Sequence, residues 1–494
     1  NQCRVVRAEV GSTPIHSRSG EKLRKTKRHH GLIFVLLLII LVSACQPADV
    51  TPPIPNVITS TPDVPIATPT PDIDVAPTPT SQATVTLAYL SLKGLNVTLR
   101  HPFYDSEELM AQLVRDFNLS NPWGIHVSTE VSEGYYALAQ ELAAGKVEND
   151  IVISMGPDLL AAQPAIEWLP LNMFIENSET GLAEMFPEEF IFSKFLPKPG
   201  ETIARLGIPL AYNAGILLFN AGWADELGFD EQPANLDRLM DISRAARTFN
   251  TYDNNYQNNG TGGLWLSRTQ LSALSWYTTY ADELGNPETG FEPDADALME
   301  SFLFLKDAYL SDLSWVSVEA SPYRYFSDRY AVVYEGSLED LKFQAAYQGF
   351  GDYQDRWTAL PYLDAAGDGH LVLEPLTFAI RSSDEKTELA SWLFGRWLLE
   401  AEQQKRLVDI HGFWPASGDP LVIASDFAAN NPVWAAPLET NPHMVIVPEI
   451  SSWTQIELVF QDAYQRIYSL DSEYYPSILE VFKETLKINQ EQRP

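Results

Sequence analysis

The chain has 494 residues, of which 45% are hydrophobic and 11% aromatic, and it carries a formal charge of −33. Its two cysteines, Cys3 and Cys45, lie in the first 45 residues, so the remainder can build neither a disulfide framework nor a thiolate metal site. Acidity on this scale repels phosphate backbones and anionic headgroups, which argues against nucleic-acid binding and suits an exported monomer.

The charge is uneven. Residues 1–44 hold eight basic and two acidic side chains, a charge of +6, which leaves −39 on the rest. A basic stretch at 22–30 (KLRKTKRHH) precedes an unbroken apolar run, Gly31 to Val42. That run is shorter than the ~20 residues of a membrane-spanning helix but has the length of a signal-peptide core. It ends in Val42-Ser43-Ala44-Cys45, which resembles the bacterial lipobox: an aliphatic residue, two small ones, then cysteine. The resemblance implies a signal peptide over 1–44 and lipidation at the Cys45 sulfur; an uncleaved signal anchor with an incidental cysteine is the plainer alternative. From Gln46 to Thr84 the composition turns to Pro, Thr, Asp and Ala with PTPD and APTPTS phrases. Such a stretch buries too little apolar surface to fold, and extends at about 3.1 Å per residue as a semi-rigid tether. Residues 45–84 therefore read as lipidated cysteine plus tether.

Some 400 residues remain, and single cores stop growing near ~250–300, so two lobes are expected. Val85 to Arg100 reads as one or two strands from its β-branched content (VTLAYLSL, then LNVTLR). Residues 107–118 place Leu109, Leu113 and Phe117 at i, i+4 and i+8, an amphipathic helix. GIHVSTEV then reads as a strand, YYALAQELAAGK as a helix ending near Gly145, and NDIVISM as a buried strand. Alternation of this kind predicts a parallel α/β sheet, with ligands beyond the carboxyl ends of its strands. The loops opening at His101 and Gly156 occupy those ends.

The phrases FNLSNPWGIHV (117–127), DIVISMGPD (150–158), IPLAYNAGILLFN (208–220), FSDRYAVVYEGS (326–337) and residues 356–380, 382–417 and 448–468 come in a telling order. Together they resemble the family-one extracellular solute-binding proteins of carbohydrate ABC importers, the maltose-binding-protein type, over nearly all of 85–490. The resemblance implies an α/β, two-lobed periplasmic-binding-protein-like fold of type II with a hinge of two to three crossing segments. It places lobe 1 at 85–211 and 363–418, lobe 2 at 212–362 and 419–494, and the crossings near 208–213 and 360–365.

A sugar site needs aromatic platforms for ring faces, and carboxylates, amides and indole N–H groups for hydroxyls. Carried over by motif, the first-lobe contacts are His101, Phe103, Tyr104 and Asp158, with Tyr212 and Asn213 at the hinge. The second lobe offers Trp265, Gln270, Trp276, Glu335, Gly336, Ser337 and Trp453, and Phe413 and Trp414 follow the long return helix. Plainer readings stand beside these: Trp276 as a core residue, Asp158 as a cap for the helix after it, and His101 as a structural residue before a proline. Two departures weaken the likeness to maltose binders, since Leu338 stands where the family often has tryptophan and Asn213 where it is often acidic.

Residues 253–263 (DNNYQNNGTGG) superficially suggest a calcium loop, but Asn258 replaces the glycine an EF-hand requires, so this is a surface insertion. No metalloprotease, P-loop, nucleophile-elbow or dinucleotide motif occurs, and no cofactor or metal is expected. The reading is a membrane-anchored, extracytoplasmic binding protein, not an enzyme, that takes a sugar or small oligosaccharide and delivers it to ABC permease subunits. Its rivals are the same fold holding a polyamine, metal chelate or glycerol phosphate, and a surface-anchored glycoside hydrolase with two carboxylates across a cleft. A polyamine site would show several convergent carboxylates.

Overall fold

A computed structural model describes residues 91–177, 179–182, 205–281, 283–284, 293–316, 322–351, 353–448 and 452–491. The signal segment 1–44, Cys45, the tether to residue 84 and most of the strand expected from Val85 lie outside the described residues.

The strands are β1 (Asn96–His101), β2 (His126–Val131), β3 (Ile151–Met155), β4 (Gly207–Phe219), β5 (Gly262–Trp265), β6 (Ser314–Trp315), β7 (Ala331–Ser337), β8 (Thr358–Leu360), β9 (Tyr362–Leu363), β10 (Gly369–Ile380), β11 (Trp414–Pro415) and β12 (His443–Ile446). The three strand runs expected first pair in parallel, β2–β1–β3, as the strand–helix alternation requires. Beyond β3 the order continues β10–β4–β7–β5–β6.

Two long strands carry the sheet from one lobe to the other. The first half of β4, through Asn213, pairs antiparallel with β10. From Gly215 onward β4 pairs instead with β7 and β8. Its sequence GIPLAYNAGILLF is buried along nearly its whole length, the unbroken apolar pattern of a strand covered on both faces. β10 behaves likewise in reverse. Gly369–Leu373 pairs with β9 and β12, and Glu374 onward pairs with β4 and then β3. The return crossing therefore lies beyond the 360–365 stretch, whose residues form β8 and β9 instead. Pro375 has no N–H to give the ladder, and the register shifts between Leu376 and Thr377. Both features loosen and bend β10 at the crossing.

The apolar core falls into clusters: one contains Leu99, Leu113, Phe117, Ile153, Phe378 and Trp414 and continues past the crossing to Trp265, Phe326 and Tyr334, and a second contains Trp223, Leu274, Trp276, Phe302 and Phe460. The helices between Pro420 and Glu439 belong with the first, where Trp434 lies edge-on to Trp414 and its indole donates to the Gly412 carbonyl at 2.8 Å. Near its end the chain returns to the second core through the helix Trp453–Arg466. Among the described residues no helix is long and apolar enough to cross a membrane.

The helix Glu107–Ser120 forms where its spacing predicts, but its stripe is rotated. Met110, Leu113, Val114 and Phe117 are buried, whereas Leu109 is 46% exposed. Leu113 and Phe117 fit either phase, and the partners decide: Phe117 seats edge-on against Phe394, 4.9 Å away, and beside Trp397. Phe117→Ala is expected to cost about 3–5 kcal/mol of stability, and Leu109→Ala under about 0.5 kcal/mol, in urea unfolding.

Candidate ligand cleft between the lobes

The cleft is built from strand ends and from the two crossing strands. β1 runs out at His101 and turns through Pro102 and Phe103 into a short 3-10 turn, Tyr104–Ser106. The His101 Nδ1 accepts from the Phe103 N–H at 3.3 Å. The same turn recurs after the helix Ala401–His411, where His411 Nδ1 accepts from the Phe413 N–H at 2.9 Å. Gly412 makes that turn possible, because its φ of +78° lies in the left-handed region. With Nδ1 accepting, the ring proton of each histidine sits on Nε2, and neither Nε2 has a partner among the described residues. Burial keeps both rings neutral, lowering His101 to about 4 and His411 to about 3. Around them lies an aromatic cluster in which Phe103 packs 5.3 Å from His101 and 6.0 Å from His411, and Tyr135 stacks on Phe413 at 5.9 Å.

A cavity of about 90 Å³ opens here, walled by Pro102–Ser106, Gly134, Tyr135, Ile410 and His411 from one lobe and by Glu339 and Lys342 from the other. Tyr104 stands 58% exposed at its mouth. Lys342 Nζ reaches Asp105 across the gap at 3.9 Å. A second cavity of about 240 Å³ lies on the other side of the Ser337–Lys342 segment. Its walls include Trp265, Ser267, Gln270, Pro322, Glu335, Gly336, Ser337, Asp340 and Glu374. A Cβ at Gly336 would meet Leu218 Cδ1 at 2.7 Å and Asp340 Oδ2 at 3.1 Å, so those side chains would have to shift. The largely apolar cavity of about 360 Å³ between the helices Trp453–Arg466 and Tyr475–Glu491 is lined by neither His411 nor Glu374.

The carboxylates of the cleft fall into two kinds. Glu335 accepts from the Ser267 N–H (2.7 Å), the Ser267 hydroxyl (3.0 Å), the Arg268 N–H (3.3 Å) and the Trp276 indole (2.6 Å). Asp340 accepts from the Tyr323 hydroxyl (2.6 Å) and from the Ser337 N–H and hydroxyl (2.7 and 3.1 Å). These two anchor the cleft wall. Asp158, Glu374 and Glu457 are different. No donor reaches Asp158 among the described residues, Glu374 has only the Asn213 amide at 3.3 Å, and Glu457 has only the Trp453 indole at 2.6 Å. Burial raises all three, Asp158 to about 6 and Glu374 to about 7, and Glu374 and Glu457 are raised further by other carboxylates, Asp158 among them. No cation among the described residues answers them.

The remaining residues singled out by motif are placed as follows. Asp158 sits in the first turn of the helix Gly156–Ala161 without capping it. Tyr212 is fully buried on β4 between Pro375 and Trp414. Asn213 faces Glu374 in register across the two crossing strands. Trp265, Gln270, Glu335, Gly336 and Ser337 all line the larger cavity. Trp276 is in the second core, edge-on to Tyr362 at 4.9 Å, and reaches the cleft only through its bond to Glu335. Phe413 backs Tyr135, Trp414 is in the first core, and Trp453 is buried with its indole on Glu457. Sequence reasoning missed Glu374, Glu457, Tyr135, His411, Asp340 and Lys342. Two of them left a signal: Glu374 interrupts the apolar run LVLEPLTFAI, and Glu457 falls on the buried face Trp453–Ile456–Phe460. The 253–263 insertion is tied by Asn258 to Asp253 at 2.9 Å, and no group suited to hold a metal occurs among the described residues.

A carboxyl raised by burial binds its proton more tightly folded than unfolded. Its contribution is complete below the unfolded value near 4.5 and is lost as pH climbs through about 7. Glu374→Gln is therefore expected to exceed the parent in stability at pH 8 by on the order of 2–3 kcal/mol, with the gain fading toward pH 5 in urea unfolding.

No protein-family model matches the chain, and no curated protein matches it in sequence. Solved structures do match. The cyclic alpha-maltosyl-1,6-maltose binding protein of Arthrobacter globiformis superposes with a TM-score of 0.62 at 13% identity, over 80% of this chain and 98% of its own. An ABC transporter solute binding protein of Thermotoga lettingae, solved with α-D-tagatose, gives 0.60 at 20% identity, over 79% and 100%. A Listeria monocytogenes ABC substrate-binding protein in complex with cycloalternan gives 0.59 at 14%, over 80% and 98%. At these identities the likeness carries architecture: the chain has the two-lobed α/β fold of the periplasmic-binding-protein type.

Proposed function

We propose that this protein captures a sugar or small oligosaccharide between its lobes and delivers it to the permease of a bacterial ABC importer. One observation carries the reading: structures that match over nearly their whole length include a cyclic alpha-maltosyl-1,6-maltose binding protein and ABC solute- or substrate-binding proteins solved with tagatose and cycloalternan. The cleft suits the task. Tyr135, Tyr104 and Trp265 offer ring faces and edges, and Gln270 and the open carboxylates suit hydroxyls. The lobes close about β4 and β10, and the permease recognises the closed form, because only differential affinity for two states can report occupancy. The basic stretch, apolar run and Cys45 complete the reading as an extracytoplasmic lipoprotein. It is not an enzyme on this reading.

A second reading, a polyamine, draws support from the convergence of Asp158, Glu374 and Glu457. Lys342 at the other end of the cleft opposes a solute charged at both ends.

A thermal-shift screen of mono- and oligosaccharides separates these readings. A cognate sugar at a hundred times its Kd adds about 2.7 kcal/mol and raises Tm, with no product formed. Tyr135→Ala is expected to weaken that binding about tenfold. Turnover of the oligosaccharide would establish a hydrolase instead. In a bacterial host, Cys45→Ala is expected to move the protein from the detergent phase to the aqueous phase on detergent partitioning.

A further inference from the structure

The hinge end of the cleft is built for a positive charge. Glu374 lines the larger cavity, half-buried on the crossing strand, and its one donor is a long bond from the Asn213 amide. Asn213 is only 6% exposed, and its Oδ1 has no hydrogen-bond partner among the described residues, leaving a buried acceptor beside an under-bonded carboxylate. Asp158 and Glu339 add negative potential at Glu374, and Glu457, 6% exposed and bonded by the Trp453 indole, lies in the field of Glu374 and Asp158. These groups accept hydrogen bonds and lack a counter-charge among the described residues. The contrast with Glu335 and Asp340 is telling, since those two are saturated by the protein's own donors.

The other end differs. There Lys342 stands beside Glu339 and Asp105, against a wall that includes the buried, neutral His411. A solute with ammonium groups at both ends would meet Lys342, while one with a single cationic end and a hydroxyl-rich body would match both halves. The carboxylates also stand where no metal-binding group is formed among the described residues, so an organic cation fits better than an ion.

We infer that the ligand is a saccharide bearing a protonated amine, an amino sugar or short amino-oligosaccharide, whose ammonium seats against Glu374 and Asn213 Oδ1 at the hinge. This rests on the saccharide reading above and narrows it.

The test is calorimetry on the full chain with matched probes: free-amine glucosamine oligosaccharides of one to four rings, their fully N-acetylated counterparts, neutral glucose oligosaccharides of equal length, and spermidine. The free-amine member is expected to bind at least tenfold more tightly than both neutral counterparts. Glu374→Gln should reduce that preference to within about threefold, and Glu457→Gln should reduce it in part. The comparison among ligands uses the unaltered protein, so it decides the matter even if a variant fails to fold. Equal or tighter binding of the neutral sugars would overturn the inference while leaving the saccharide reading intact. Binding of spermidine alone, or of nothing in the panel, would overturn both.

Discussion

The antiparallel pairing of β4 with β10 is the constraint on which the rest of the molecule depends. Each strand belongs to one lobe for half its length and to the other for the remainder, changing partners at Ala214 and Glu374. The ladder sets Asn213 opposite Glu374 at the place where the partners change. Anything held between the lobes at that level meets a carboxylate whose position is fixed by backbone hydrogen bonds rather than by a mobile loop. Pro375 and the register shift beside it weaken the ladder locally, so rigidity and bending are supplied by the same few residues.

Electrostatics then divide the cleft. A buried carboxylate is tolerated when donors saturate it, and Glu335 shows how: four donors bind the Ser267–Arg268 turn and Trp276 to one side chain. Asp158, Glu374 and Glu457 lack that compensation, and burial drives their pKa values up. Carrying unsatisfied groups costs stability, and such cost is typical of sites whose missing partner is a ligand. The two neutral histidines obey the same logic with opposite sign, since burial removes their charge and leaves a ring N–H to donate.

The contacts that join the lobes across the mouth are weak by comparison. Lys342 and Asp105 are both substantially exposed and 3.9 Å apart, a pair of little energetic weight. The aromatic cluster of Phe103, Tyr135, His411 and Phe413 lies within one lobe and holds its wall rigid without tying it to the other. On the closure proposed above, the occupant of the cleft supplies the difference between the two states.

Much of this could be read from the sequence. Length beyond one core's capacity predicted two lobes, and alternating strand and helix patterns predicted the parallel β2–β1–β3 unit, because burial imposes periodicity on local sequence. The motif residues Trp265, Gln270, Glu335, Gly336 and Ser337 are brought together on one cavity wall. Tertiary structure alone decided which side of the first helix turned inward, because Leu113 and Phe117 satisfy both phases until Phe394 arrives from 277 positions away. It also decided that Trp276 serves as a donor to Glu335 from within the core. Above all it decided that Asp158, Glu374 and Glu457 share one field. They are separated by long stretches of chain, and the sequence shows two of them only as charges out of place in apolar surroundings. Local pattern records what each residue must do to be buried; which buried charges face one another is set by the crossing of two strands, and that is a property of the folded chain.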